Sequence, residues 1–352
     1  MKKHLKLTAL ILTLSLLASM LAACGGQPSQ PSGSNAPAAT GEQEAMTIQW
    51  AFTPPSGSND EKWHHVVGDR VNENTSGAIT YEYYPNGTLG NEKVTLEGVI
   101  SGTINQASIS PNVVATVMPE MNVLCLPFVF DSLEHYYDVV SSEEYYEKMN
   151  EAANKVGMQY LGVDLAVPRN ISLKGDPVIV PSDAKGQVLR VMDGTIYTDM
   201  MKLWGLGSSV ISYGETYTAM QQGVIDGIEN SNDGNLTMKF TEVVDNTTNT
   251  YHVYHTQATF MNLNLWNSLT AETQEAIHQA FLDTYPEVKE EMPVLAEESA
   301  QQVRDAGVEV YDLTDEQRQE WIDASQPLYE QYRSVIGEEF YDWFIDFVDS
   351  KR

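Results

Sequence analysis

DAKGQVLRV (183–191) and ETYTAMQQGVIDGIEN (215–230) are the two halves of the stretch on which the reading of this chain turns. The first enters a strand through a turn at Gly186: Val188, Leu189 and Val191 are β-branched or apolar, and Arg190 sits among them. A guanidinium buried in such company must find an anion, because an unpaired buried charge is costly. Two partners satisfy it: an internal Asp or Glu, with 49 acidic residues to draw on, or an anionic ligand. The planar guanidinium meets a carboxylate with two parallel hydrogen bonds, a geometry that a lysine ammonium does not reproduce.

The chain has 352 residues, which suits two domains or one two-lobed body. A formal charge of −29 at pH 7 excludes the basic footprint of a nucleic-acid binder and repels anionic solutes at long range. An acid-binding site must therefore supply a local positive spot. Arginine is scarce (Arg70, Arg169, Arg190, Arg304, Arg318, Arg333 and Arg352), so each arginine in an apolar context is informative.

The N-terminus reads as an export signal. Lys2, Lys3 and Lys6 precede an apolar run at 7–20 that is too short to span a bilayer as a stable helix. It ends in Leu21-Ala22-Ala23-Cys24, a lipobox pattern that would make Cys24 the lipidated first residue of the mature protein; the alternative is a plain signal peptide that contains a Cys. Residues 25–44 are Gly, Ser, Pro, Ala and Gln-rich and read as a flexible tether. Cys125, inside VLCLPFVF (123–130), reads as a buried thiol without a disulfide partner.

Beyond these residue-level readings, the quoted stretch resembles the solute-binding proteins of TRAP transporters, the DctP-type family, whose pattern runs D-L-K-G-x-K-I-R-V and then E-x-Y-x-A-L-Q-x-G-V-x-D-G-x-E-N. Further blocks carry the likeness: YPNGTLGNEKVTLEGVISGTINQASISPN (84–112), with Asn105 where the family usually has Asp, and MPEMNVLCLPFVF (118–130). Val167-Pro168-Arg169 stands where the family has G-[FY]-R, so Arg169 matches a second arginine position although the preceding residues depart.

The resemblance implies an α/β, two-lobed, periplasmic-binding-protein-like (type II) fold with a central ligand cleft and C-terminal helices packing across the lobes. Alternating strands and helices support two α/β lobes independently. The expected division is 1–23 signal peptide, 24–44 tether, 46–167 plus 255–290 lobe 1, and 168–254 plus 291–352 lobe 2 and C-terminal helices. The chain is expected to cross near 168 and 254. Residues 208–215 and 258–266 read as strands, Tyr217, Met220 and Val224 as one buried helix face, and Pro286 and Pro293 as breaks in a long helix.

The implied function is capture of a small organic acid outside the cytoplasm and its delivery to the TRAP membrane permease. Arg190 would grip the carboxylate, Asn230 would orient one of its oxygens, Tyr213 would wall the pocket, and Arg169 would add a second charge. Ser58, in the loop after the first strand, and Ser110 and Asn112, at a strand's carboxyl end, are candidate contacts; their alternative roles are turns and helix caps. The chain carries no Gly-x-Ser-x-Gly, His-Glu-x-x-His or phosphate-cradling Gly loop, so it is read as no enzyme, with no cofactor. The Asn/Asp cluster 230–235 lacks the ligand period of a calcium loop, so no metal is expected there. His252 and His255 read as solvated or core histidines. Monomer is the default state.

Overall fold

The computed structural model describes residues 42–352; the signal segment, Cys24 and the tether as far as residue 41 lie outside the described residues. In chain order the first part comprises β1 (Met46–Ala51), α1 (Asn59–Asn74), β2 (Ile79–Tyr84), α2 (Glu92–Ser101), β3 (Gln106–Ile109), α3 (Pro111–Val114), α4 (Leu133–Val140), α5 (Glu143–Ala153) and β4 (Met158–Val163). The middle comprises β5 (Val167–Leu173), β6 (Val188–Val191), α6 (Thr195–Leu203), β7 (Gly207–Val210), α7 (Thr216–Gln221), β8 (Gly227–Ser231), α8 (Asn232–Thr237), β9 (Asn246–Asn249) and β10 (Tyr254–His255). The last part comprises β11 (Ala258–Asn262), α9 (Leu263–Ser268), α10 (Ala271–Leu282), α11 (Tyr285–Asp305), β12 (Glu309–Asp312), α12 (Asp315–Ile336) and α13 (Glu338–Ser350).

Side-chain caps explain where many of these helices start. Ser58, Asn91, Ser132, Ser142, Ser231 and Thr270 each stand before the first helical residue and accept from a backbone N–H three residues on. Thr314 and Gln317 close a reciprocal capping box at the start of α12.

The strands form two sheets. The first has the order β2-β1-β3-β11-β4, parallel among β2, β1 and β3, with β11 running antiparallel to both β3 and β4. The second has the order β12-β9-β5-β8-β6-β7, with β10 paired antiparallel to β5. The chain passes from one sheet to the other at 164–166 and back at 256–257, and at that seam Tyr254 pairs with Pro168. One apolar cluster, including Trp204, Trp321, Tyr136, Tyr197 and Phe344, runs through both lobes and the C-terminal helices. Two smaller clusters lie one in each lobe, around Trp50 and Phe281 and around Ile228 and Phe240.

Several local expectations are corrected. The 208–215 strand stops at Val210, because its one neighbour, β6, pairs it only through Val191; Tyr213 sits on the 3-10 turn that follows. The 258–266 strand stops at Asn262, whose side chain accepts from Leu265 N at 3.1 Å and starts α9. Val224 lies beyond α7 and is 60% exposed, so that helix buries Thr216 and Met220 instead. The long helix breaks at residues 283–284, with Pro286 in the first turn of α11, where a missing N–H is harmless. Pro293, by contrast, is carried inside the continuous α11, its ring on the exposed side. Residues 291–352 do not belong to lobe 2 alone. On α13, Val348 O accepts from His135 Nε2 at 2.9 Å and Trp343 Nε1 donates to Glu144 at 2.8 Å, so this helix lies on lobe 1.

Candidate functional site

Between the lobes lies a cavity of ≈ 320 Å³, within the usual range for a small-molecule site. Lobe 1 lines it with Ser58 and Asp60 from the start of α1, Glu92 from the start of α2, and Ser110 at the end of β3. Lobe 2 contributes Arg169 on β5, Arg190 on β6, Tyr213, Asn230 on β8 and Asp233 on α8; His255 and Gln257 come from the returning segment. Placing strand ends and helix starts opposite one another is what a two-sheet body with a double crossover does.

The two arginines differ in one respect that decides their roles. Arg169, 2% exposed, is committed: its Nε bonds Glu229 Oε1 and its Nη2 reaches Glu229 Oε2 at 2.8 Å and Glu229 O at 2.5 Å. Glu229 also accepts from His252 Nε2 at 3.0 Å. Burial alone would raise the Glu229 carboxyl, but Arg169 and His252 overturn it and hold it down at about 2.

Arg190, 4% exposed, donates Nε to Ile211 O at 2.8 Å. No carboxylate among the described residues lies within the 4.0 Å ion-pair distance of it. Of the two partners the sequence left open, the internal acid is therefore absent among the described residues. Burial, with Arg169 alongside, pushes Arg190 down to about 10; it stays charged at neutral pH, without a close anion of its own. Its Cζ lies 5.4 Å from the Tyr213 ring centroid, which stacks against the cation and leaves Nη1 and Nη2 to the cavity.

Tyr213 and Asn230 form one wall. Asn230 Nδ2 donates to Asn235 Oδ1 at 3.0 Å and to Tyr213 Oη at 3.4 Å, and Tyr213 Oη approaches Gly234 O at 3.4 Å. Gly234 makes this approach possible, since a Cβ there would lie 2.7 Å from Asn230 Nδ2 and 2.9 Å from Tyr213 Oη. The neighbouring amides are spent on the protein: Asn232 Nδ2 on Asn249 and Asn235 Nδ2 on Ser172.

Of the candidates named from sequence, Arg190, Asn230, Tyr213, Arg169, Ser110 and Ser58 line the one cavity. Ser58 at the same time caps α1, accepting from Glu61 N at 3.2 Å. Ser110 donates its hydroxyl to Glu92 Oε1 at 2.8 Å, so it holds Glu92 as well as facing the cleft. Asn112 is not among the lining residues. It is buried beside the opposite lobe, where its Nδ2 donates to Asp193 O, because Gly194 lets the two backbones approach.

Sequence reading missed the acids Asp60, Glu92 and Asp233, and the His255 and Gln257 pair. Asp60 and Glu92 resemble ordinary acids of a helix's first turn, so nothing in the local pattern distinguished them. Glu92 Oε1 accepts from Ser110 N and Oγ, Gln257 Nε2 and Thr53 Oγ1; burial raises its carboxyl above the ordinary value against the pull of Ser110, Arg190 and Thr53. His255 is held well below the ordinary histidine range by burial and by Arg169, so it meets the cavity as a neutral ring. His252, read as solvated or core, is the core ligand of Glu229.

A buried cation without an acidic partner, an aromatic wall and an enclosed cavity between two lobes suit the capture of a small anion. The sequence pattern of the family described as bacterial extracellular solute-binding protein, family 7 (DctP) matches residues 53–334. Among curated proteins, the chain is 27% identical to the C4-dicarboxylate-binding protein DctB of Bacillus subtilis, over 77% of each chain. It is 28% identical to the C4-dicarboxylate-binding periplasmic protein DctP of Vibrio cholerae, over 77% of this chain and 81% of that one. Among solved structures, it superposes on a TRAP periplasmic solute-binding protein of a Sulfitobacter species with bound β-D-galacturonate, at TM-score 0.78 and 23% identity, covering 86% of this chain and 99% of that one. It also superposes on the sugar-acid-binding protein of Advenella mimigardefordensis in complex with galactonate, at TM-score 0.81 and 23% identity, covering 88% and 99%.

Proposed function

The chain belongs to bacterial extracellular solute-binding protein family 7, the DctP family of TRAP transporter subunits, and from that premise we propose that Arg190 is the anchor for the carboxylate of its solute. As a member of that family it is a solute-binding protein that works outside the cytoplasm and captures organic acids for a permease; its task is transport, not catalysis. The observation that carries the Arg190 assignment is the contrast between the two buried arginines: Arg169 is neutralised by Glu229, and Arg190 has no carboxylate within ion-pair distance among the described residues.

A carboxylate entering the cleft meets Nη1 and Nη2 of Arg190 as a two-pronged acceptor. Tyr213 lies flat beside the carbon skeleton, Asn230 sits beside the same group, and the remaining Nη1 of Arg169 adds positive potential without moving its ion pair. Ser110 and Ser58 border the opposite wall. The solute as a whole, held by its carboxylate on one lobe, meets groups of both lobes, so it binds best when they are shut and draws the population to the closed state. His255, kept neutral, adds no repulsion to this arrangement and offers one donor or acceptor.

At the cell surface, the mature protein is a monomer tethered by a lipid on Cys24. The support is the run Lys2, Lys3, Lys6, the apolar 7–20 stretch, Leu21-Ala22-Ala23-Cys24 and the polar 25–44 segment. Replacing Cys24 by Ser should release the protein from membranes, and retention of the variant would overturn the anchor.

The test of the anchor is a calorimetric titration and thermal-shift panel of organic acids on wild type and Arg190→Ala. A ligand that binds only the folded state raises Tm by mass action. Loss of the acid's effect in a folded Arg190→Ala protein is the expected result; an undiminished effect moves the anchor to Arg169.

A further inference from the structure

The cavity is not uniformly basic. Arg190 has Arg169, Tyr213, Glu229 and Glu92 as its charged or ionisable surroundings, whereas Asp60 has His64, Asp233 and Asp164. Tyr213 lines the same cavity with its ring centroid 5.4 Å from Arg190 Cζ. Asp60 belongs to α1 on one lobe and Asp233 to α8 on the other, and both face the cavity. Asn59 Nδ2 donates to Asp233 Oδ1 at 3.0 Å, which draws the two helix starts together and the two acids with them.

The acids have capacity to spare. No described side chain donates to Asp60, and among the described residues Asp233 accepts only from Asn59. Glu92 takes its donors on Oε1, and Oε2 accepts from none among the described residues. An ionised carboxylate offers about four acceptor positions. Burial, with Asp233 and Asp164 nearby, pushes Asp60 up to about 6 against the pull of His64, so most of it is ionised above neutral pH. Of the lysines at this end, Lys62 is exposed and turned to Asn59 Oδ1 at 3.1 Å, and Lys93 is exposed although it lines the cavity beside Glu92. Arg190, 4% exposed and without a carboxylate within ion-pair distance among the described residues, is the group in the same cavity that suits an anion.

We propose that Asp60, with Asp233 on the facing lobe, restricts the solute to a monocarboxylate whose remaining groups donate hydrogen bonds, a polyhydroxy acid, and turns C4-dicarboxylates away. This rests on the reading of Arg190 as the carboxylate anchor. Hydroxyl groups satisfy the open acceptors of Asp60, Asp233 and Glu92 Oε2. A second carboxylate has nothing to donate and is forced against like charges in a closed cleft, an arrangement that disfavours the wrong partner strongly. The selectivity expected from that repulsion is about 100-fold or more.

The experiment is calorimetry at pH 7.5 with D-galacturonate, D-galactonate, D-erythronate, succinate and L-malate, on wild type, Asp60→Asn, Asp233→Asn and Arg190→Ala. Wild type should bind at least one polyhydroxy acid about 100-fold more tightly than succinate. Asp60→Asn should shrink that ratio at least about tenfold, with succinate gaining as the sugar acid loses. Asp233→Asn gives the same reading from the other lobe should Asp60→Asn melt early. Succinate binding wild type as tightly as the sugar acids, no binding by any of the three polyhydroxy acids, or an unchanged ratio in both folded variants would each overturn the proposal. The Arg190→Ala arm separates the two readings: if it binds the acids as wild type does, the anchor fails, whereas if it loses them all while the Asp60→Asn ratio stays put, only the selectivity fails.

Discussion

Replacing Glu229 by Gln removes the charge that neutralises Arg169 while keeping nearly the same shape. Glu229 is 0% exposed and Arg169 2%, so no water is at hand to take over from the lost carboxylate. Removing one partner of such a buried pair costs about 3–5 kcal/mol. For a body of this size, at about 2–4 °C for each kcal/mol, Tm should fall by about 10 °C at pH 7. The pH dependence follows from the direction of the shift. Glu229 is held at about 2, below its ordinary 4.5, so its contribution is full above 4.5 and disappears as pH falls from there towards 2. The gap between wild type and Glu229→Gln should therefore be wide at pH 7 and much narrower at pH 3, read by differential scanning calorimetry. His252, pushed below its ordinary 6.5 by burial, adds acid sensitivity to both proteins, because it must take up a proton in the unfolded chain first. An Arg169→Met, Glu229→Leu double variant should regain much of the loss, because the stranded charge is gone. A Tm within about 2 °C of wild type at pH 7, or a gap that does not change with pH, would refute the idea that this pair is a closed, internally neutral unit.

Two further outcomes bear on the hinge and the sheet. Asn59→Ala deletes the hydrogen bond to Asp233 at 3.0 Å that ties the lobes at the mouth of the cleft. Solute dissociation measured by stopped flow should quicken several-fold, about 1 kcal/mol, with association unchanged; an unaltered off-rate would show that the bond does not hold the closed form. Gly227→Ala would put a Cβ 2.1 Å from Ser172 O and 2.9 Å from Leu173 Cδ2, across the β5–β8 pairing. Denaturant unfolding should show a loss of about 2 kcal/mol or more, and a neutral effect would mean that the strands separate there without cost.

Much of the architecture was legible because its signals are local. The β-branched run around Arg190, the Ser58 cap and the Gly turn at Gly186 act over a few residues, and the structure has each in that form. Sequence reading failed where an element's end depends on a distant partner. β7 ends when β6 stops pairing with it, and Pro293 is carried in a continuous helix whose other face packs on the body. The site divides in the same way. Arg190, Arg169 and Asn230 stand on buried strands, where a polar group calls for an explanation, whereas Tyr213, on a 3-10 turn, was pointed to by the family resemblance alone. Asp60, Glu92 and Asp233 occur in first turns of helices, where acids are common, and only the folding of two helix starts towards one cavity distinguishes them. Asn112 shows the opposite error: at a strand's carboxyl end, yet turned to Asp193 on the other lobe.

The central claim is that Arg190 holds the solute's carboxylate, and the most direct measurement compares Kd for one bound acid across wild type, Arg190→Lys and Arg190→Ala. Truncating one side of a buried charge pair costs about 2–5 kcal/mol, so Arg190→Ala should weaken binding by about 100-fold or more. Arg190→Lys should fall between, because the charge remains and the two-pronged geometry is lost. Unfolding temperatures without solute report whether the variants are intact. A folded Arg190→Ala protein that binds the acid within about threefold of wild type would contradict the account, because the cost of losing a buried charge pair is far larger than that.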